Sequence, residues 1–198
     1  MEQLLQQIIN GISLGSIYAL IALGYTMVYG IIKLINFAHS DVYMIGAYIG
    51  YFCMTSLRLG FVSSLLIAMV FCTLLGVAIE KIAYKPLRNA TKIAVLITAI
   101  GVSLFLEYGT MFIVGPTVRS YPAMRGIMVK TFKLANITIT MQQVLIVGIT
   151  VILMILLQFI VKKTRIGKAM RAVSLDQDAA MLMGVNVNTT ISFTFALG

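Results

Sequence analysis

Residues 29–48, "YGIIKLINFAHSDVYMIGAY", bring together side chains that could bind or relay a proton or hold a polar ligand: Asn36, His39 (the chain's only histidine), Ser40 and Asp41, with Lys33 just before them. A lone imidazole among such groups invites a metal or proton-relay reading. A metal reading is weak, because a single histidine with no cysteine or second histidine at ligand spacing cannot build a coordination sphere. Two readings stay open: a structural hydrogen-bonding cluster, or a pathway or gate. Glu107 is the other isolated acid, set within a long apolar run about 22 Å along a helix from Lys92 at 1.5 Å per residue. At that depth it is either part of a path or an outer-surface glutamate facing Arg119.

A second constellation lies in "KKTRIGKAMRAVSLDQDAAMLMGVN", where Arg171 closes a basic run and Asp176, Asp178, Ala179, Ala180 and Gly184 follow. Ser174 with Gln177 has the spacing of a capping box, and the two aspartates suit the positive end of a helix. Gly184 is a natural stop. The helix so bounded, residues 175–183, is too short to persist alone in water. Leu175, Ala179, Leu182 and Met183 give it an apolar face that must rest on something. That support is either the membrane and the chain's own helices, or a cytoplasmic partner into which the helix docks.

The elements that must position these residues are membrane helices. The composition is 60% hydrophobic and 11% charged, with a mean hydropathy of +1.01. No charge falls between Glu2 and Lys33, between Arg58 and Glu80, or within residues 141–161. A bilayer core of about 30 Å needs roughly 20 apolar helical residues, and soluble helices keep a polar face that these runs lack. Spans are expected at 4–32, 42–57, 61–79, 93–114 and 141–161, with a further apolar start from Ile191. The expected fold class is all-α: a polytopic transmembrane helix bundle with at least one broken or re-entrant segment, because the second run is short and residues 33–41 interrupt it. Residues 1–198 are expected to form a single transmembrane domain that includes the loop 162–186. Cys53 and Cys72 lie inside apolar runs and imply no disulfide.

Lys81, Lys85, Arg88 and Lys92 form one dense basic segment, and Lys162, Lys163, Arg165, Lys168 and Arg171 another. Both are cytoplasmic by the positive-inside rule, which puts the sparser segment 115–140 outside. Three full spans would leave the N-terminus outside as well, whereas a break at 33–41 that changes the parity would bring it inside. The net charge of +9 sits in loops beside the spans, where anionic lipid accounts for it without nucleic acid. Small residues at four-residue spacing (Gly11, Gly15 and Ala19, then Gly46 and Gly50) favour close helix packing. The chain holds no Gly-x-x-x-x-Gly-Lys-Ser/Thr phosphate loop and no nucleophile–base pair, so it is expected to be non-catalytic, to bind no cofactor, and to leave ATP chemistry to a partner.

The order Asp178-Ala179-Ala180-x-x-x-Gly184 resembles the EAA loop by which permeases of ATP-binding-cassette importers touch their ATPases, with Asp in place of Glu. The resemblance widens with "GISLGSIYALIALGYTMVYGIIKLINFAHSDVYMIGAY", "IEKIAYKPLR", "LITAIGVSLFL" and "TRIGKAMRAVSLDQDAAMLMGVN", which occur in family order. Together they resemble the H-type permease subunits of bacterial branched-chain amino-acid importers of the ATP-binding-cassette class. The resemblance implies a multi-pass subunit of the bacterial inner membrane that moves leucine, isoleucine or valine inward. It also implies a second, homologous permease subunit, two cytoplasmic ATPase subunits and an extracytoplasmic substrate-binding protein. Urea or short-amide cargo, or a stand-alone secondary carrier, are the alternatives. Asn36, His39, Ser40, Asp41 and Glu107 are then candidates for the translocation path. Arg171, Asp176, Asp178, Ala179, Ala180 and Gly184 are candidates for ATPase coupling. Family members run Asn-Phe-Ala-His-Gly-Glu where this chain has Ser40 and Asp41, so a role needing glycine's backbone freedom is not carried over. They also continue beyond position 198, so the sequence is expected to be a fragment.

Overall fold

The computed structural model describes residues 2–33, 35–88, 90–122, 131–134 and 137–198. Its helices are α1 (Glu2–Ile32), α2 (His39–Thr55), α3 (Phe61–Ile79), α4 (Lys92–Val114), α5 (Met141–Lys163), α6 (Arg165–Leu175), α7 (Gln177–Leu182) and α8 (Val187–Leu197). A π-helical turn, Glu80–Tyr84, and a short 3-10 turn, Lys85–Leu87, extend α3. Four helices are long and apolar enough to cross a membrane: Gln3–Ile32, Phe61–Leu87, Lys92–Val114 and Met141–Lys163. The fold is an all-α polytopic bundle, as the charge-free runs predict. Among the described residues its one departure is an antiparallel pair of β1 (Thr131–Leu134) and β2 (Ile137–Thr140), with Thr131 opposite Thr140.

The chain divides into two compact units, one of residues 1–23 with 123–168, the other of 24–122 with 169–198. In the first, α5 begins at a reciprocal capping box. Thr140 Oγ1 accepts from Gln143 N–H (3.3 Å) and Gln143 Oε1 accepts from Thr140 N–H (3.0 Å), which satisfies two donors that a helix start leaves unpaired. The same end of α5 meets the start of α1. Gln6 exchanges two hydrogen bonds with the Thr138 backbone (3.0 and 2.8 Å), and Gln143 Nε2 donates to Asn10 Oδ1 (2.9 Å). Lys162 and Lys163 lie at the opposite end of α5. The N-terminus of α1 and the basic end of α5 therefore lie at opposite ends of this unit.

The second unit is built on α3, which packs against α2 and α8. Gly76 sits so close to α8 that a Cβ there would lie 2.7 Å from the Phe195 carbonyl oxygen, and one at Gly46 would lie 2.6 Å from Cys72 Sγ. At these two places a missing side chain lets elements touch. Gly11 and Gly15 have nothing within 4 Å of where a Cβ would be, so equal spacing in sequence marks a packed face on α2 and an open one on α1.

Candidate functional site

The break after α1 begins at Lys33, whose φ of +56° is a left-handed turn rarely adopted outside glycine, asparagine and aspartate. Its N–H still reaches the Tyr29 carbonyl (2.8 Å), and residues 35–38 are outside helix before α2 starts at His39. The His39 ring meets Tyr25 edge-on at 6.1 Å and lies against Gly24. Gly24 precedes the end of α1 by eight residues, about 12 Å of helix rise. The first turn of α2 is therefore folded back alongside α1, a re-entrant course that explains why α2 needs only 17 residues.

Two cross-element hydrogen bonds hold this segment. Asn36, 6% exposed, accepts at Oδ1 from the Tyr84 hydroxyl (2.9 Å). Asp41, 9% exposed, accepts at Oδ2 from the Ser103 hydroxyl of α4 (2.5 Å). A cavity of about 310 Å³ adjoins the break. Its wall is mostly apolar (Val28, Val42, Met69, Ile79, Phe195), with Asn36, His39 and Thr73 as polar members, and it extends along α8 to Gly198. Ser40 and Phe37 instead point outward, and Ser40 Oγ donates to the Phe37 carbonyl at 3.3 Å. The expectation that the whole run from Asn36 to Asp41 faces inward holds for Asn36, Ala38 and Asp41 and fails for these two. Ser40 sits in an ordinary helical turn, so glycine's conformational freedom is not required there.

Glu107 lies on the exposed side of α4 and makes no ion pair with Arg119 among the described residues. Arg119 instead donates to the Val114 carbonyl (2.8 Å) and lies over the rings of Tyr51 and Phe52 at 5.9 and 5.7 Å, a cation–π arrangement that satisfies it without an acid. Beside it, burial raises the Tyr121 phenol above its usual value, with a further push from Tyr43. The hydroxyl donates to the Ala47 carbonyl (2.6 Å).

Residues 165–184 also differ in detail from the predicted helix 175–183. Ser174 belongs to the last turn of α6 and its hydroxyl donates to the Arg171 carbonyl (2.8 Å), so it caps nothing. The extended backbone that a cap needs occurs at Asp176 (φ −152°, ψ 117°), whose Oδ1 accepts from Asp178 N–H (2.9 Å) and Ala179 N–H (3.1 Å). Gly184, at φ +82°, terminates α7 as predicted. Gly184 N–H reaches the Met181 carbonyl and Val185 N–H reaches that of Ala180, both at 3.0 Å, the paired bonds of a Schellman ending. Ala180 is buried, whereas Asp178 and Ala179 are exposed, and Leu175, Leu182 and Met183 are 83, 89 and 87% exposed. The predicted apolar face rests on no described part of this chain. Arg171 is exposed on α6, while Met170 and Val173 turn inward.

One buried cluster escaped sequence reasoning. Glu80 is 0% exposed in the π-helical turn, where it pairs with Arg88 and accepts at Oε2 from the Ser192 hydroxyl of α8 (2.6 Å). Arg88 also donates to Asn188. Glu80 reads in sequence as one acid among loop lysines. The available signal is that a glutamate at a helix C-terminus opposes the helix dipole and so calls for a cation.

A family profile described as "Branched-chain amino acid transport system / permease component" matches residues 7–198. The chain is 37% identical to the high-affinity branched-chain amino acid transport system permease protein BraD of Pseudomonas aeruginosa, over 98% of this chain and 66% of that protein. It is 38% identical, at the same coverage, to the permease protein LivH of the corresponding systems of Salmonella typhimurium and Escherichia coli K12. It thus spans just under two thirds of the length of these relatives. No solved structure matches it. With four helices able to cross a bilayer, a re-entrant polar break and a match over nearly its whole length, the chain is a multi-pass membrane protein that belongs to the branched-chain amino acid transport permease family.

Proposed function

We propose that this chain is a translocation subunit of an ATP-binding-cassette importer of the bacterial inner membrane that carries branched-chain amino acids into the cytoplasm. Separate ATPase subunits energise it, and it pairs with a second permease subunit and an extracytoplasmic binding protein. The cargo follows from the names of its relatives. The observation that carries the reading is α7: a helix of six residues fixed at both ends, with Leu182 in its last turn, Met183 just past it and Leu175 at the end of α6 almost fully in solvent. So short a helix with an uncovered apolar face suits a pre-shaped docking element for a cytoplasmic partner. Asn36 and His39, on the mostly apolar cavity, are the candidates for contact with an aliphatic amino acid, and Asp41 positions the segment that carries them.

In the full-length protein, Leu182→Asp with Met183→Asp keeps membrane insertion and lowers ATPase co-purification and ATP-driven leucine uptake by at least about tenfold, as expected when exposed apolar anchors of an interface are lost. Wild-type levels of ATP-driven uptake in this variant would remove the basis for the proposal.

A further inference from the structure

We infer that the π-helical turn Glu80–Tyr84 is the joint through which movement of α7 and α8 reaches the re-entrant segment and its cavity. The inference rests on the importer reading above. Both ends of this turn are tied to other elements. At its start, Glu80 accepts from Ser192 of α8, and its Arg88 partner donates to Asn188 of the same helix. At its end, the Tyr84 hydroxyl donates to Asn36 in the break, while the Tyr84 ring packs on Phe195 of α8 at 5.3 Å between centroids.

Helix α8 is in turn coupled to α7. The two pack together, and Asn186, just past the α7 ending, caps α8 by accepting from Thr189 N–H (3.1 Å). Gly76, one turn before Glu80, lets the Phe195 backbone approach so closely that α8 cannot slide without displacing α3. A displacement at α7 therefore has a continuous set of packed and hydrogen-bonded groups leading to Asn36.

A π-helical turn can return to the ordinary helical register, the kind of second arrangement that a transmitting element requires. Lys85 N–H bonds to the Glu80 carbonyl five residues back. Returning to the ordinary four-residue register changes the direction of Tyr84 relative to Glu80, because one residue is about 100° of helix rotation. Glu80 and Tyr84 are positioning residues in this scheme: they touch α8 and the break, and act on the cavity through Asn36 and Phe195, which line it. Burial of a charge pair whose Arg88 side chain is only 19% exposed keeps the turn stiff enough to transmit.

The test uses the full-length chain assembled with its ATPase subunits in liposomes, with leucine as the probe. Tyr84→Phe removes the bond to Asn36, Ser192→Ala removes one bond to Glu80, and both keep the packing volume. Ser64→Ala, at a buried hydroxyl of α3 without a hydrogen-bond partner among the described residues, serves as control. Tyr84→Phe and Ser192→Ala are expected to keep ATP hydrolysis within about twofold while leucine moved per ATP falls about five- to tenfold, the size of a typical coupling between sites. The control leaves that ratio unchanged. Hydrogen exchange over residues 33–41 is expected to respond to ATP in the wild type and not in Tyr84→Phe. An unchanged leucine-to-ATP ratio in both variants overturns the joint. So does a parallel fall in hydrolysis and uptake, because it marks a merely structural role. If the wild type moves no leucine but its 33–41 exchange responds to ATP through Tyr84, the joint stands and the cargo reading falls. A wild type whose 33–41 exchange ignores ATP overturns the joint whatever it transports.

Discussion

Glu80 and Glu107 are both isolated carboxylates carried by apolar helical segments, yet they occupy opposite environments. Glu107 attracts attention in the sequence because it interrupts a long run, and the structure leaves it on the exposed side of α4 with no ion pair among the described residues. Glu80 passes as one charge in a basic loop, and it is the fully buried one, held by Arg88 and Ser192. Counting residues along a helix gives depth. It does not give the partner across a bundle, and for a buried charge the partner decides everything, since an unpaired ion in a low-dielectric interior is far more costly than a paired one.

The contrast can be broken most sharply at Glu80. Glu80→Ala strands the Arg88 guanidinium and is expected to lower the stability of the purified protein by about 3–5 kcal/mol, read as a loss of unfolding midpoint in detergent. Replacing both partners together, Glu80→Met with Arg88→Met, is expected to recover at least about 1 kcal/mol of that loss because no charge is left unpaired. A double variant as unstable as the single would show that the ion pair is not what holds the turn. Ser192→Ala leaves the pair and removes one charge-assisted bond, a loss of about 1.5–3 kcal/mol in the same unfolding measurement. Glu107→Gln completes the series at the small end, within about 0.5 kcal/mol of wild type. A loss comparable with that of Glu80→Ala would place Glu107 in a structural contact with a partner subunit.

Other differences between expectation and structure have the same origin. The spans were legible because a bilayer requires long apolar helices, and the short second run correctly announced a break. Gly184 was legible as a helix stop because only a local backbone rule is involved. Ser174 and Asp176 show the limit: both are good caps, and the choice between them depends on how far α6 continues, which the burial of Met170 and Val173 settles. Arg119 shows it again, since guanidinium can be satisfied by an acid or by aromatic faces, and only the fold brings Tyr51 and Phe52 beneath it. Among the site candidates, Asn36 and Asp41 could be located by type and position, but their donors, Tyr84 and Ser103, lie 48 and 62 residues away.

The sequence by itself determined the solvent in which this protein lives, the places of its four long apolar helices and its family. These follow from hydrophobic run length, charge placement and local backbone chemistry, all of which act within a few turns of chain. Tertiary structure alone decided which acid is buried, that the apolar face around α7 has no cover within the described chain, and that one π-helical turn joins α8 to the polar break. Each of those depends on groups far apart in sequence being brought within hydrogen-bond or packing distance, and residue spacing carries no record of that.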